Sequence, residues 1–282
     1  MILQKRIIGL FILPLIMLLG VFIFVPVIGT FVTSLFQDVS FMPKTFVGLD
    51  NYLEVLSSPT FKQSLRYTIL FTIVSVFIEI ILGLVIAILL NYDHPLKWLL
   101  RATVLIPWAV PTAISARVWE LMYNYNYGLF SFLKINWTGT ESGAFFSLLF
   151  AEVWKTTPFV TIIILAGLVN IPKQHYEQAM IDGASLLQRF FKITLKLLTP
   201  VIVVAALFRT ADALRIFDII YLITNGGPGG ATNSLSLHSF KYFVTGDFGK
   251  SSTVAIILFF IALAFSIFYT KIGKFEDVIN EE

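Results

Sequence analysis

Six long apolar runs leave this chain little choice of fold. They lie at about residues 7–35, 67–90, 99–122, 145–170, 197–223 and 253–272. Crossing a bilayer takes roughly 20 mostly apolar residues. A lone segment in hydrocarbon satisfies its own backbone polar groups only as a helix. Composition agrees: 57% of residues are hydrophobic and 13% charged, against about 25% charged in soluble domains. The expected fold is all-α and integral to the membrane, one domain over residues 1–282 with six transmembrane helices. Met1–Arg6 could open a signal peptide. The run behind it is long enough to span, and no small-residue cleavage site closes it, so a retained helix is expected. Pro14, Pro26, Pro107, Pro111 and Pro158 fall inside the runs and predict kinked helices packed in a bundle.

Charge distribution orients the bundle. With the N-terminus in the cytoplasm, Lys5, Arg6, Lys97, Arg101, Lys173, Arg189, Lys192, Lys196, Lys271 and Lys274 share that side. Lys44, Lys62, Arg66, Lys134, Lys241 and Lys250 face out. An even number of helices returns the C-terminus to the cytoplasm. The chain has no cysteine, so it has no thiolate metal site. His94, His175 and His238 are scattered and form no ligand set. No basic patch supports nucleic-acid binding, and no nucleophile or metal constellation points to an enzyme.

Between the fourth and fifth runs, residues 171–196 form a polar loop. Ile171-Pro172 ends the preceding span. From Lys173 to Ala184, the side chains Tyr176, Ala179, Met180 and Ala184 recur at helical spacing among Glu177, Gln178 and Asp182. Gly183 can take positive φ and turn the chain. Arg189, Lys192 and Lys196 lead back to the membrane. Such a helix can lie on lipid or dock into a groove of a partner. Its first half is acidic, which favours docking.

The fifth run carries Arg209, Asp212, Arg215 and Asp218 at intervals of three. Each ionisable group at the bilayer centre costs roughly 2.5–3.5 kcal/mol, so pairing or a watery cavity is expected. The alternating signs allow i,i+3 pairs along one helix. The stripe can hold the bundle together, line a polar pathway, or do both. In the fourth run, Glu152 and Lys155 have the spacing of a pair. Trp108, between Pro107 and Pro111, packs in a core or stacks on a ring-shaped solute. The segment Thr224-Asn225-Gly226-Gly227-Pro228-Gly229-Gly230-Ala231-Thr232, followed by Ser234-Leu235-Ser236-Leu237, is no helix interior and is expected to be an external loop. It lacks the Gly-Lys-Ser/Thr ending of a phosphate loop, so the chain is not expected to hydrolyse ATP alone.

Two of these segments resemble one family. Glu177, Ala179, Gly183, Ala184, Ile193 and Leu195 stand at the spacing of the Glu-Ala-Ala, Gly, Ile-x-Leu-Pro loop of ABC-importer permeases. Gln178 replaces the first Ala, and Lys196 replaces the Pro. Thr224 with Gly226-Gly227-Pro228 is similar to the Thr-x-Gly-Gly-Pro string of maltose-type and glycerol-phosphate-type sugar permeases. The resemblance implies a cytoplasmic coupling helix between helices 4 and 5, with Glu177, Ala179, Asp182, Gly183 and Ala184 at the ATPase-coupling loop. It implies a second permease, two ATPase subunits that carry ATP and Mg, and an extracytoplasmic sugar-binding protein. It implies a sugar pathway at Glu152, Thr156, Phe159 and Asp212, with Ala213 and Ile216 at matching positions. Trp108, Arg209, Arg215 and Asp218 complete the expected pathway. No cofactor is expected on this chain. An ion-driven carrier using the charged stripe is the alternative.

Overall fold

The computed structural model describes residues 2–273; Lys274, counted above in the charge balance, lies outside the described residues. Among these residues, five helices are long and apolar enough to cross a membrane: Phe11–Ser34, Pro59–Asn91, Glu141–Val169, Leu186–Leu214 and Phe248–Ile272. A sixth crossing is a bent pair, Lys97–Ala109 and Thr112–Met122, with 88° between its halves. The described residues also form one small antiparallel hairpin, Phe36–Gln37 with Thr45–Phe46, pairing Phe36 with Phe46.

The chain forms two compact units. One runs to Lys62 and resumes over His238–Phe259. Here the polar ends of two spans are closed locally. The Asp38 carbonyl accepts from the backbone N–H groups of Phe248 (2.8 Å) and Gly249 (3.2 Å). Asp247 Oδ1 accepts from the Lys250 N–H at 2.9 Å. These bonds satisfy donors that the first turn of a helix leaves free. Asn51 Nδ2 donates to the carbonyls of Ser34 (2.9 Å) and Phe36 (2.8 Å), closing the C-terminal end of the first span.

The other unit takes Gln63–Leu237 and continues from Phe260. The fourth span, Glu141–Val169, is its axis. Ala87, Val160, Ile164, Leu168, Leu198 and Ala205 form a buried cluster joining the second, fourth and fifth spans. Close approach needs a residue without a side chain at Gly83, where a Cβ would sit 2.6 Å from Val160 Cγ1 and 3.3 Å from the Thr161 nitrogen. Gly83→Ala is therefore expected to destabilise the protein by about 1–3 kcal/mol through overpacking. The thermal midpoint of the detergent-solubilised protein measures this, and an unchanged midpoint contradicts it.

Two crossings depart from the expected spans, the third by a full break where its prolines predict a kink and the fifth in its bounds. The third, expected over 99–122, ends its first half at Ala109 and restarts at Thr112. Pro111 pushes the residue before it out of the helical region, and Val110 is extended at φ −71°, ψ 131°. The fifth, expected over 197–223, runs Leu186–Leu214. Arg215 closes it at φ −99°, ψ 20°, and Phe217 stands at φ −139°, ψ −64°. A separate short helix, Asp218–Ile223, follows and packs against Thr112–Met122. The four charged residues at intervals of three therefore do not ride one helix.

Candidate functional site

The two breaks face one cleft of about 350 Å³. Trp108 and Thr112 flank the bend in the third span. Arg215, Ile216, Phe217 and Asp218 belong to the break after the fifth. Glu152, Lys155, Thr156 and Phe159 come from the fourth span, and Arg209 and Asp212 from the fifth. All eight pathway residues expected from sequence line this cleft. Ile216 lines it as well, whereas Ala213 is wholly buried outside the lining.

Arg209 organises the floor. Its Nε donates to Glu79 Oε2 at 2.5 Å, and its Nη2 to Glu79 Oε1 at 3.2 Å and Glu152 Oε1 at 2.9 Å. Asp212 Oδ2 lies 3.5 Å from Nη1. Arg215 Nη2 donates to Asp212 Oδ1 at 2.6 Å. The planar guanidinium suits this two-pronged grip on a carboxylate. Glu79 is 0% and Arg209 3% exposed, so each charge depends on the other. The Thr156 hydroxyl lies 2.9 Å from Glu79 Oε1 and 2.7 Å from the Glu152 carbonyl, placed to donate to either.

Sequence reasoning misses Glu79. Its signal is the acid standing alone in the second apolar run, which requires a partner by the same cost that flags the fifth span. The expected Glu152–Lys155 pair is not formed. Glu152 turns to Arg209, and Lys155 Nζ donates instead to the Val110 carbonyl at 3.0 Å. Trp108 is no core residue. It is 48% exposed and stacks on Phe159, centroids 5.9 Å apart at 29°. An exposed aromatic face beside paired polar groups suits a solute with both apolar ring faces and hydroxyls.

The glycine-rich segment is also no free loop. Thr232 and Ser234 are fully buried. Ser234 Oγ donates to the Ile216 carbonyl at 2.8 Å, and the Leu235 N–H donates to Thr68 Oγ1 at 2.9 Å. The segment thus ties the break beside the cleft to the second span.

The loop after the fourth span builds a second feature. A helix runs Lys173–Ile181, shorter than the expected Lys173–Ala184. Gly183 takes φ +75°. Its N–H donates to the Met180 carbonyl at 3.1 Å, and the Ala184 N–H to the Ala179 carbonyl at 2.8 Å. This paired closure is the Schellman stop, which needs a left-handed residue at the Gly183 position. It gives Ala179, Gly183 and Ala184 a structural reason for their spacing. Ser185 then opens the next helix with a capping box to Gln188. Arg189, Lys192 and Lys196 consequently ride the start of the fifth-span helix, not the loop. Glu177 and Asp182 are exposed. Ile181 is 86% exposed, and Leu186 and Leu187 are exposed as well. A short helix with a bare apolar corner and acidic flank has the chemistry of a groove-docking element.

Residues 79–274 match the family described as binding-protein-dependent transport system inner membrane component. The trehalose/maltose transport system permease protein MalF of Thermococcus litoralis is 55% identical over 274 residues, covering 94% of this chain and 93% of that protein. The sulfoquinovosyl glycerol transport system permease protein SmoG of Agrobacterium fabrum is 35% identical over 94% of this chain and 89% of its own length. A chain of a bacterial alginate ABC transporter, solved with an alginate pentasaccharide-bound periplasmic protein, superposes with TM-score 0.83 at 19% identity, covering 96% of this chain and 95% of that one. With two thirds of its length matched to the family and near full-length relatives above 30% identity, this multi-pass chain belongs to the inner membrane components of binding-protein-dependent transport systems.

Proposed function

We propose that this chain is one of two permease subunits in an ATP-driven, binding-protein-dependent importer of sugars, in the size range of trehalose or maltose. The cleft carries the reading: a polar chamber within the spans, walled by two helix breaks, with a stacked Trp108–Phe159 platform beside paired charges. Helix breaks at membrane depth are tolerated where they line a cavity. A second permease closes the other half of the pathway. A binding protein delivers the solute outside. Two ATPase subunits hold ATP and Mg on the cytoplasmic side, where both termini of this chain also lie. The helix Lys173–Ile181 docks there, with Glu177 against a basic residue of the ATPase. Sugar enters on one side and leaves on the other by alternating access. The Thermococcus litoralis relative, named for trehalose and maltose, supports this solute class.

Reconstituting the complete complex in vesicles tests the reading. Labelled trehalose or maltose should accumulate only with ATP on the ATPase side and binding protein on the other. Accumulation driven by a proton or sodium gradient without ATP would overturn it.

A further inference from the structure

Lys155 belongs to the cleft, yet none of the interactions described above explains its charge. It is 7% exposed and sits on the fourth span among the lining residues. A buried ammonium is costly unless its donors are met. It has three N–H groups, and the Val110 carbonyl takes one at 3.0 Å. That carbonyl lies in the gap of the third span. The Ser115 N–H bonds the Pro111 carbonyl at 3.0 Å and begins the second half. Val110 itself follows the last helical residue, Ala109. Glu152, one turn away, is committed to Arg209. Among the described residues no carboxylate forms an ion pair with Lys155. Two donors therefore remain for a guest in the cleft.

Charge identifies the guest's class. Of the ionisable lining residues, Glu152, Asp212 and Asp218 balance Lys155, Arg209 and Arg215. Glu79 beneath Arg209 adds one negative charge. The site offers no surplus cation to an anionic solute. A neutral polyhydroxyl solute brings oxygen lone pairs for Lys155 and hydroxyls for the carboxylates, with ring faces for Trp108.

We propose that Lys155 reads solute occupancy. Its ammonium donates to an oxygen of a neutral polyhydroxyl solute while also holding the Val110 carbonyl at the bend, so loading the cleft bears directly on the angle of the third span. The inference rests on the import function proposed above. It makes Lys155 both a specificity residue and the link from solute to helix geometry.

The test uses the complete complex in vesicles, with labelled trehalose and labelled maltose as probes. Two quotients are read: solute accumulated per ATP hydrolysed, and trehalose against maltose uptake. Loss of one charged hydrogen bond is expected to lower solute per ATP about tenfold in Lys155→Met, with a changed trehalose-to-maltose quotient. Lys155→Arg keeps the charge and should stay within about threefold of the parent. If Lys155→Met does not assemble, Lys155→Gln carries the same comparison. Variants in which uptake and hydrolysis fall together, both quotients unchanged, make Lys155 a mere strut and overturn the proposal. A parent complex that hydrolyses ATP but accumulates neither sugar rejects the import function itself. That failure is recognised without any variant.

Discussion

Glu79→Gln is expected to cost the folded protein about 3–5 kcal/mol, because it leaves Arg209 buried without its two-pronged partner. The guanidinium is 3% exposed, so hydration replaces little of the lost carboxylate. Glu152 at 2.9 Å and Asp212 at 3.5 Å recover part of the loss. Neither grips the Nε edge that Glu79 Oε2 holds. Arg209→Gln is expected to be equally damaging, since it strands Glu79 and Glu152 side by side. The double variant Glu79→Gln/Arg209→Gln should be less damaged than the sum of the singles, because two neutral amides need far less compensation than one orphan charge. Thermal midpoints of the solubilised complex for all four forms give the coupling. Strict additivity would falsify the claim that Glu79 and Arg209 stabilise each other.

The second large effect falls on the turn at Gly183. Proline there demands φ near −65°, whereas the chain holds +75°, and it removes the N–H that reaches Met180. The Schellman stop cannot form. Gly183→Pro is therefore expected to let ATP hydrolysis proceed while sugar accumulated per ATP falls by an order of magnitude or more, roughly the loss that misplacing a positioning element causes. Gly183→Asn provides the control, since asparagine tolerates the left-handed region. It should retain most of the transport. Equal losses in both variants would show that the side chain, not the backbone turn, is at fault. Intact transport in Gly183→Pro would remove the loop from the coupling path.

What the sequence reveals depends on whether the cause is local. The turn at Gly183 is legible because a glycine between a helical pattern and a Ser-x-x-Gln capping signal is itself the cause. The bend at Val110 is legible in outline, since Pro111 acts on its immediate neighbour. The break at Arg215–Phe217 is not. No glycine or proline stands there, and the bond that holds it comes from Ser234 to the Ile216 carbonyl. The same limit explains the charge pairs. Spacing suggests Glu152 with Lys155, but Arg209 offers Glu152 a stronger partner, and the bend offers Lys155 a bare carbonyl. The cleft is thus readable as a roster of residues and unreadable as a set of bonds. Its central pair joins residues 130 positions apart.

That separation has a consequence for how the protein is made. Glu79 is synthesised 130 residues ahead of Arg209, so its span reaches the bilayer before its partner. During that interval its carboxylate adds roughly 2.5–3.5 kcal/mol to the cost of insertion. The Ile, Leu, Val and Phe residues around it, each favouring insertion by roughly 0.3–0.6 kcal/mol, must carry it alone. The apolar length of the second span thus serves insertion as well as packing, and replacing its exposed Leu70, Leu82 and Leu89 by serine is expected to lower the inserted fraction of the nascent chain.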